Sequence, residues 1–275
     1  MFKFFSRENP GYPRKEKKDA IKRIQKYERV ASKQLKTQIE TIDTLLRNVT
    51  GWANVTMSKD RHKLYKDNIQ QFCKGKSLDA TLVPKYLLHA LFYSFKDEDG
   101  DIQHFSFRKD GVIIQFLGLL RSREAVPVLM DILSFCLLER EINRTRTDVL
   151  DCLPWFPGDL EIDSIGFALG LIGDRQAIPI LREARKEFGD DCGKMEYSLL
   201  LALCKLGGEE ELKELMVKLS GNDVKNDVIT AIGTALFFSP DVIRELKRLA
   251  ADPKNKYILK NVETCLELSR VYQGM

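Results

Sequence analysis

The chain has 275 residues, 44% hydrophobic and 31% charged, with a formal net charge of +4. That composition suits a sizeable soluble core, and no apolar run approaches the roughly 18 to 20 residues of a membrane span. The opening Met1-Phe2-Lys3-Phe4-Phe5-Ser6-Arg7 breaks at once into charge, without an apolar h-region or a small-residue cleavage site, so it does not read as a secretory leader.

The charge is unevenly placed. Residues 1–76 carry 19 Lys and Arg against 8 Asp and Glu, and the remainder carries 25 against 32. Residues 1–13, with the turn-rich Asn9-Pro10-Gly11-Tyr12-Pro13, read as a flexible arm. From Arg14 to about Val49 a long helix is expected, because Ile21, Ile24, Ala31, Leu35, Ile39, Ile42 and Leu46 step along one face. Its other face holds Lys15, Lys18, Lys22, Lys26, Lys33 and Lys36. Two readings stand: a polar helix capping the end of a helical stack, or a contact with an anionic surface. Nucleic-acid phosphate is the stronger candidate for that surface, and peripheral contact with membrane lipid the weaker one. Trp52, after the break at Gly51, reads as a packing residue.

Residues 59–95 read as one or two further helices, with Ser58 or Asp60 as a cap. In the segment Leu82 to Phe95, the residues Leu87, Leu88, Leu91, Phe92 and Phe95 fit the first helix of a degenerate hairpin. His89 lies among them and reads as a core histidine, since His62 and His104 stand at no ligand spacing from it. The acidic run Asp97-Glu98-Asp99-Gly100-Asp101 is not an EF-hand loop. Counted from Asp97, its glycine falls at position 4 and Arg108 at position 12, where that loop needs glycine at about 6 and glutamate at about 12. It reads as a solvated turn. The six cysteines, Cys73, Cys136, Cys152, Cys192, Cys204 and Cys265, form no Cys-x-x-Cys pair and read as buried thiols.

Beyond residue 105 the chain repeats itself. A shift of 52 lays Leu117-Gly118-Leu119-Leu120 on Leu169-Gly170-Leu171-Ile172. The same shift lays Arg123, Ala125, Val126, Pro127, Val128 and Leu129 on Arg175, Ala177, Ile178, Pro179, Ile180 and Leu181. A shift of 34 carries Gly173 to Gly207 and Leu181 to Leu215, and a further 31 carries Leu212 to Ile243 and Leu215 to Leu246. The unit is an apolar helix, a helix end to which Gly173 and Gly207 are suited as left-handed residues, a short polar turn and a second helix, with Pro127 and Pro179 in its first turn. In the last unit Val228, Ile229, Ile232 and Leu236 face Ile243, Leu246 and Leu249, and a final helix runs from Asn255 to Tyr272. One hairpin cannot bury its apolar face alone, so neighbours must stack.

The pattern Ala-Leu-Gly-x-Ile-Gly-Asp-x-x-Ala-Ile-Pro-x-Leu, Ala168 to Leu181, resembles the short HEAT-like repeats of phycobilisome lyase subunits. The resemblance spans roughly residues 111–269 and concerns the fold. It implies an all-α, right-handed α-solenoid of about four to five hairpins over residues 106–275, behind a basic N-terminal cap at 14–105. Glu139 to Ile162 is an insertion in this frame, with Trp155 and Phe156 between Pro154 and Pro157. That tip is either exposed for binding or folded back to plug the stack.

No Gly-x-Ser-x-Gly, phosphate-cradling loop, Cys/His metal cluster or His-Glu pair occurs, so no catalytic residue, metal or cofactor is assigned. Function then rests on surfaces. The solvent side of the second helices offers Arg182, Lys186, Lys213, Lys218, Arg244 and Arg248, mixed with Glu183, Glu214 and Glu245. The expectation is a cytoplasmic, non-catalytic scaffold that binds another protein through the concave face. Two alternatives follow from analogy. One is a nucleic-acid binder or HEAT-like alkyl-base glycosylase, with parts for Trp155 and Asp159. The other is a chromophore-lyase-like subunit.

Overall fold

The computed structural model describes residues 19, 22–24, 26, 27, 29, 30, 70, 71, 74, 75, 80–91, 94–96, 102–104, 107–145, 159–189, 193–221 and 226–272. The N-terminal residues among these, Asp19 to Val30, are helical. A 3-10 turn, Ala80–Leu82, then leads into α1 (Val83–Leu91). Two short strands follow, β1 (Ser94–Lys96) and β2 (Ile102–His104), paired antiparallel with Phe95 opposite Gln103. After them come α2 (Phe107–Leu119), α3 (Ala125–Thr145), α4 (Asp159–Ile172), α5 (Ile178–Phe188), α6 (Gly193–Lys205), α7 (Glu209–Ser220), α8 (Asn226–Ala235), α9 (Pro240–Ala251) and α10 (Leu259–Tyr272).

These helices form hairpins in two layers. The first helices α2, α4, α6, α8 and α10 pack each on the next. In the second layer α3 packs on α5 and α7 on α9, and ion pairs join α5 to α7. The described chain is therefore four stacked helical hairpins, α2/α3 to α8/α9, followed by one further first helix. Among the described residues, the hairpin β1–β2 departs from otherwise helical elements.

The first layer is held close by small residues. A Cβ on Gly118 would lie 2.6 Å from the Cα of Ala168, and one on Gly170 would lie 2.9 Å from the Cα of Ala202. Gly118 and Gly170 are the pair matched by the 52-residue shift, so the repeat preserves the point of closest approach. Because α6 is sandwiched between α4 and α8, its described side chains, Glu196 to Lys205, show no solvent stripe. Leu199, Ala202, Leu203 and Leu206 join one core cluster, while Tyr197, Leu200, Leu201 and Cys204 join the other.

Each hairpin turns on one left-handed residue. Gly173 (φ 82°) and Gly207 (φ 86°) hold this position, and so do two non-glycine residues, Arg121 (φ 51°) and Leu236 (φ 54°). At Arg121 the Schellman pattern is complete: its N–H donates to the Gly118 carbonyl at 2.9 Å, and the Ser122 N–H to Leu117 at 3.0 Å. Leu236 repeats it with Gly233 and Ile232. A side chain in this conformation costs on the order of 1 to 2 kcal/mol. Arg121 is exposed, so Arg121→Gly should stabilise the chain by about 1 kcal/mol. A shift in the urea midpoint without a change in slope checks this; an unchanged or lowered midpoint would contradict the reading.

Several expectations need correction. Leu82 to Phe95 is not one helix. α1 ends at Leu91, and Phe95 lies in β1, which pairs with β2. Leu236 is a turn residue and not part of a helix face. The final helix starts at Leu259, since Asp252 accepts from the Lys254 N–H at 2.9 Å and holds Pro253–Asn255 in a 3-10 turn. The second helices of units two and three also align differently. At a shift of 31 the buried Glu211, Leu215 and Leu219 fall on the buried Ile180, Ala184 and Phe188, whereas at 34 Leu219 would fall on the half-buried Arg185, so Leu215 answers Ala184 and not Leu181. The 3-10 turn Arg175–Ala177 has no counterpart between Gly207 and α7, which accounts for the three-residue difference.

Part of the long 52-residue spacing is used in helix. α3 runs 21 residues against 11 in α5 and 12 in α7 and α9, and α4 already begins at Asp159. Trp155 and Phe156 lie outside the described residues, as do the arm at 1–13 and Lys15, Lys18, Lys33 and Lys36.

Candidate interaction surface on the second helices

With Ala184, Leu215 and Leu246 as the inward register, every other position of α5, α7 and α9 is assigned. Ile180, Leu181 and Phe188, then Leu219, then Val242 and Leu249 point into the core. The opposite side must then face outward, as an amphipathic helix requires. Arg182, Lys213 and Arg244 are 31 residues apart and all exposed. One turn further on, Lys186, Val217 and Arg248 form a second exposed row with the same spacing. Lys247 lies beside it. Val217 is 72% exposed, the highest value for a large hydrophobic residue among those described. The outward surface is thus one apolar side chain on α7 with cations on its own helix and on both neighbours.

The three arginines of this set are already answered by carboxylates. Arg182 donates to both oxygens of Glu211, at 2.7 and 3.1 Å. Glu211 sits in register with the buried Ile180 and Val242, an acid in an apolar position. The Arg182 hydrogen bond holds its carboxyl below the usual carboxylate range, against the opposing effect of burial. Arg248 pairs with Glu245 at 2.7 Å, and Arg244 pairs with Asp241. Lys186, Lys213 and Lys247 complete the exposed set.

Lys218 does not share this surface. It is drawn into a seam between α5, α6 and α7, 3.0 Å from Glu196 and 3.5 Å from Glu214, with its ammonium 5.7 Å from the Tyr197 ring centroid. Arg185 joins the same seam through Glu214 and Glu196. The Arg185 hydrogen bond holds Glu214 below the usual range. This network clamps neighbouring hairpins together.

The acids of the row also occupy a repeated place. Asp131, Glu183, Glu214 and Glu245 are separated by 52, 31 and 31 residues. Glu183 and Glu245 are buried, unlike the solvent-side residues expected from sequence. Asp131 is matched by Arg23 of the N-terminal helix, which donates to both its oxygens at 2.6 to 3.0 Å. Ile24 beside it is buried in the first core cluster with Tyr27 against it. Lys22 and Lys26, the described members of the basic helix, point to solvent, and Lys22 pairs with Asp19.

Other reactive groups read as structural. Burial pushes the Cys204 and Cys265 thiols up to about 12, so neither is a thiolate near neutral pH. His89 is held below its ordinary value by burial and by Lys85. Among the described residues no three His, Cys, Asp or Glu are grouped to hold a metal, and no helix is long and apolar enough to cross a membrane.

Lys205 is the exception to this ordinary chemistry. It ends α6, half-buried, and burial together with nearby Arg121 pushes its ammonium down to about 8. In the unfolded chain it titrates near 10.5. Between those values the unfolded state binds more protons, so this group's destabilisation is full below pH 8 and is relieved as pH rises toward 10.5. Tyr and Cys groups titrate oppositely in the same range, which makes a difference measurement necessary. The stability advantage of Lys205→Met over the parent chain should be largest at pH 7 and shrink by pH 10; an advantage that does not change with pH would refute the assignment. Position 205 corresponds to Leu119 and Leu171 in the preceding hairpins, a signal the repeat alignment contains but periodicity alone does not flag.

Residues 164–186 match the family model described as PBS lyase HEAT-like repeat. The match covers the end of α4, the turn and most of α5, so the chain carries a HEAT-like repeat at the hairpin where Gly173 and Pro179 set the turn. No curated protein and no solved structure matches the chain.

Proposed function

We propose that the chain is a non-catalytic scaffold that binds another protein along the outward side of its second helices, taken as the concave face of a right-handed superhelix. In this reading residues 106–275 are the repeat solenoid and 14–105 the cap at its start, working in the cytoplasm. The observation that carries it is the setting of Val217, 72% exposed among Arg182, Lys186, Lys213, Arg244 and Arg248. An apolar anchor with a polar rim is the make-up of a protein interface. The ion pairs of Arg182, Arg244 and Arg248 neutralise half of the six cations around Val217, which suits a rim better than a phosphate track. A HEAT-like repeat is compatible with such a role and does not itself specify a partner.

The experiment places a photo-crosslinking residue at position 217 of the full chain, in cells, with and without nuclease. The expected outcome is one crosslinked protein, insensitive to nuclease and lost in the Lys213→Glu, Arg244→Glu double variant. Crosslinking to nucleic acid alone would overturn the proposal.

A further inference from the structure

We propose that the edge of α9 turned away from α7 docks an acidic amphipathic helix of a partner protein, which Arg244 and Lys247 hold as Arg182 and Arg185 hold α7. At a shift of 62, Leu181-Arg182-Glu183-Ala184-Arg185-Lys186 falls on Ile243-Arg244-Glu245-Leu246-Lys247-Arg248. Every charge keeps its sign, and the two apolar positions and the glutamate are buried in both helices. The edge of α5 that faces α7 is thus written again on α9. On α5 its use is visible. Arg182 donates to both oxygens of Glu211, at 2.7 and 3.1 Å, and Arg185 donates to Glu214. Acids three residues apart on one helix meet cations three residues apart on its neighbour.

On α9 the same cations are more exposed. The Arg244 side chain is 75% exposed against 51% for Arg182, and Lys247 is exposed where Arg185 is half-buried. Ala250 is half-buried where its counterparts Phe188 and Leu219 are buried. α10 supports α9 from the first layer, as α6 supports α5, and it is the last described helix. A guest helix beside α9 would complete a fifth hairpin with α10, as an apolar face laid in a groove between two helices. Residues 240–260 carry six Lys and Arg against three Asp and Glu, so charge selects an acidic occupant and repels a basic one. Arg244 pairs with Asp241 on its own helix. Such an exposed pair is weak, and a carboxylate that takes both prongs of the guanidinium replaces it. This edge lies one helix away from the Val217 anchor and goes beyond it.

The probe is a peptide of residues 209–220, stapled as a helix on its solvent side and titrated against the full chain by fluorescence anisotropy at about 0.15 M salt. The peptide should bind. The double variant Arg244→Glu, Lys247→Glu should weaken it by on the order of tenfold or more, with Tm unchanged because both residues are exposed. A peptide carrying Glu211→Lys and Glu214→Lys should fail on the parent chain and bind the double variant, a rescue that loss of folding could not give. Val217→Asp should leave peptide binding unchanged. No binding, equal binding of a scrambled peptide of the same composition, or an affinity indifferent to the double variant would overturn the proposal. Self-association of the chain alone, lost in the double variant, would seat a second copy on this edge and overturn the assignment to a separate partner.

Discussion

Gly118→Ala should lower stability by about 2 to 3 kcal/mol, although alanine is the better helix former by about 1 kcal/mol. The added methyl would meet backbone, 2.6 Å from the Cα of Ala168 and 3.0 Å from its Cβ. α2 and α4 would have to separate, and that separation is transmitted because the interior is close-packed. The effect should be graded along the stack. Gly170→Ala, at 2.9 Å from the Cα of Ala202, comes next. Gly166→Ala should cost least, since it meets only the movable end of Leu199 at 3.0 Å. Denaturant midpoints of the three variants check the order. Equal losses, or a loss greatest at Gly166, would show that the first layer is not set by these crossings.

Arg23→Met should cost about 3 kcal/mol and loosen the N-terminal helix from the first hairpin. The Asp131 side chain is 4% exposed and that of Arg23 is 45% exposed. Removing the arginine strands a buried carboxylate, which is more damaging than the pair was favourable. Arg244→Met removes an exposed pair with Asp241 and should change stability by less than about 1 kcal/mol. Thermal unfolding separates the two, and hydrogen exchange across residues 19–30 should rise in Arg23→Met alone. A small effect at Arg23 would mean that Ile24 and Tyr27 suffice to dock the helix.

The architecture was readable because its determinants are local and repeated. Gly173, Gly207 and Pro179 announce a turn whose chemistry does not depend on distant residues. The alignment that carried Leu117-Gly118 onto Leu169-Gly170 also marked the crossing points of the first layer, but sequence did not show that these glycines meet Ala168 and Ala202. The rest depended on tertiary context. Arg121 and Leu236 occupy left-handed positions that favour glycine, so residue type gave no warning. Glu183 and Glu245 looked like a solvated face because charge predicts exposure, yet register buries them. α6 lacks amphipathic periodicity because it is covered from both sides. Of the candidate surface, Arg182, Lys186, Lys213, Arg244 and Arg248 were found from charge and spacing. Val217 was missed, since a lone valine on a helix carries no signal until its neighbours are placed.

The proposed interface turns on that valine. The measurement that tests it most directly is the affinity of the protein captured at position 217 for the parent chain and for Val217→Asp. At 72% exposure the substitution should leave folding stability within about 0.5 kcal/mol. The account predicts that it weakens binding by on the order of tenfold or more. An unchanged affinity, with Tm also unchanged, would contradict it.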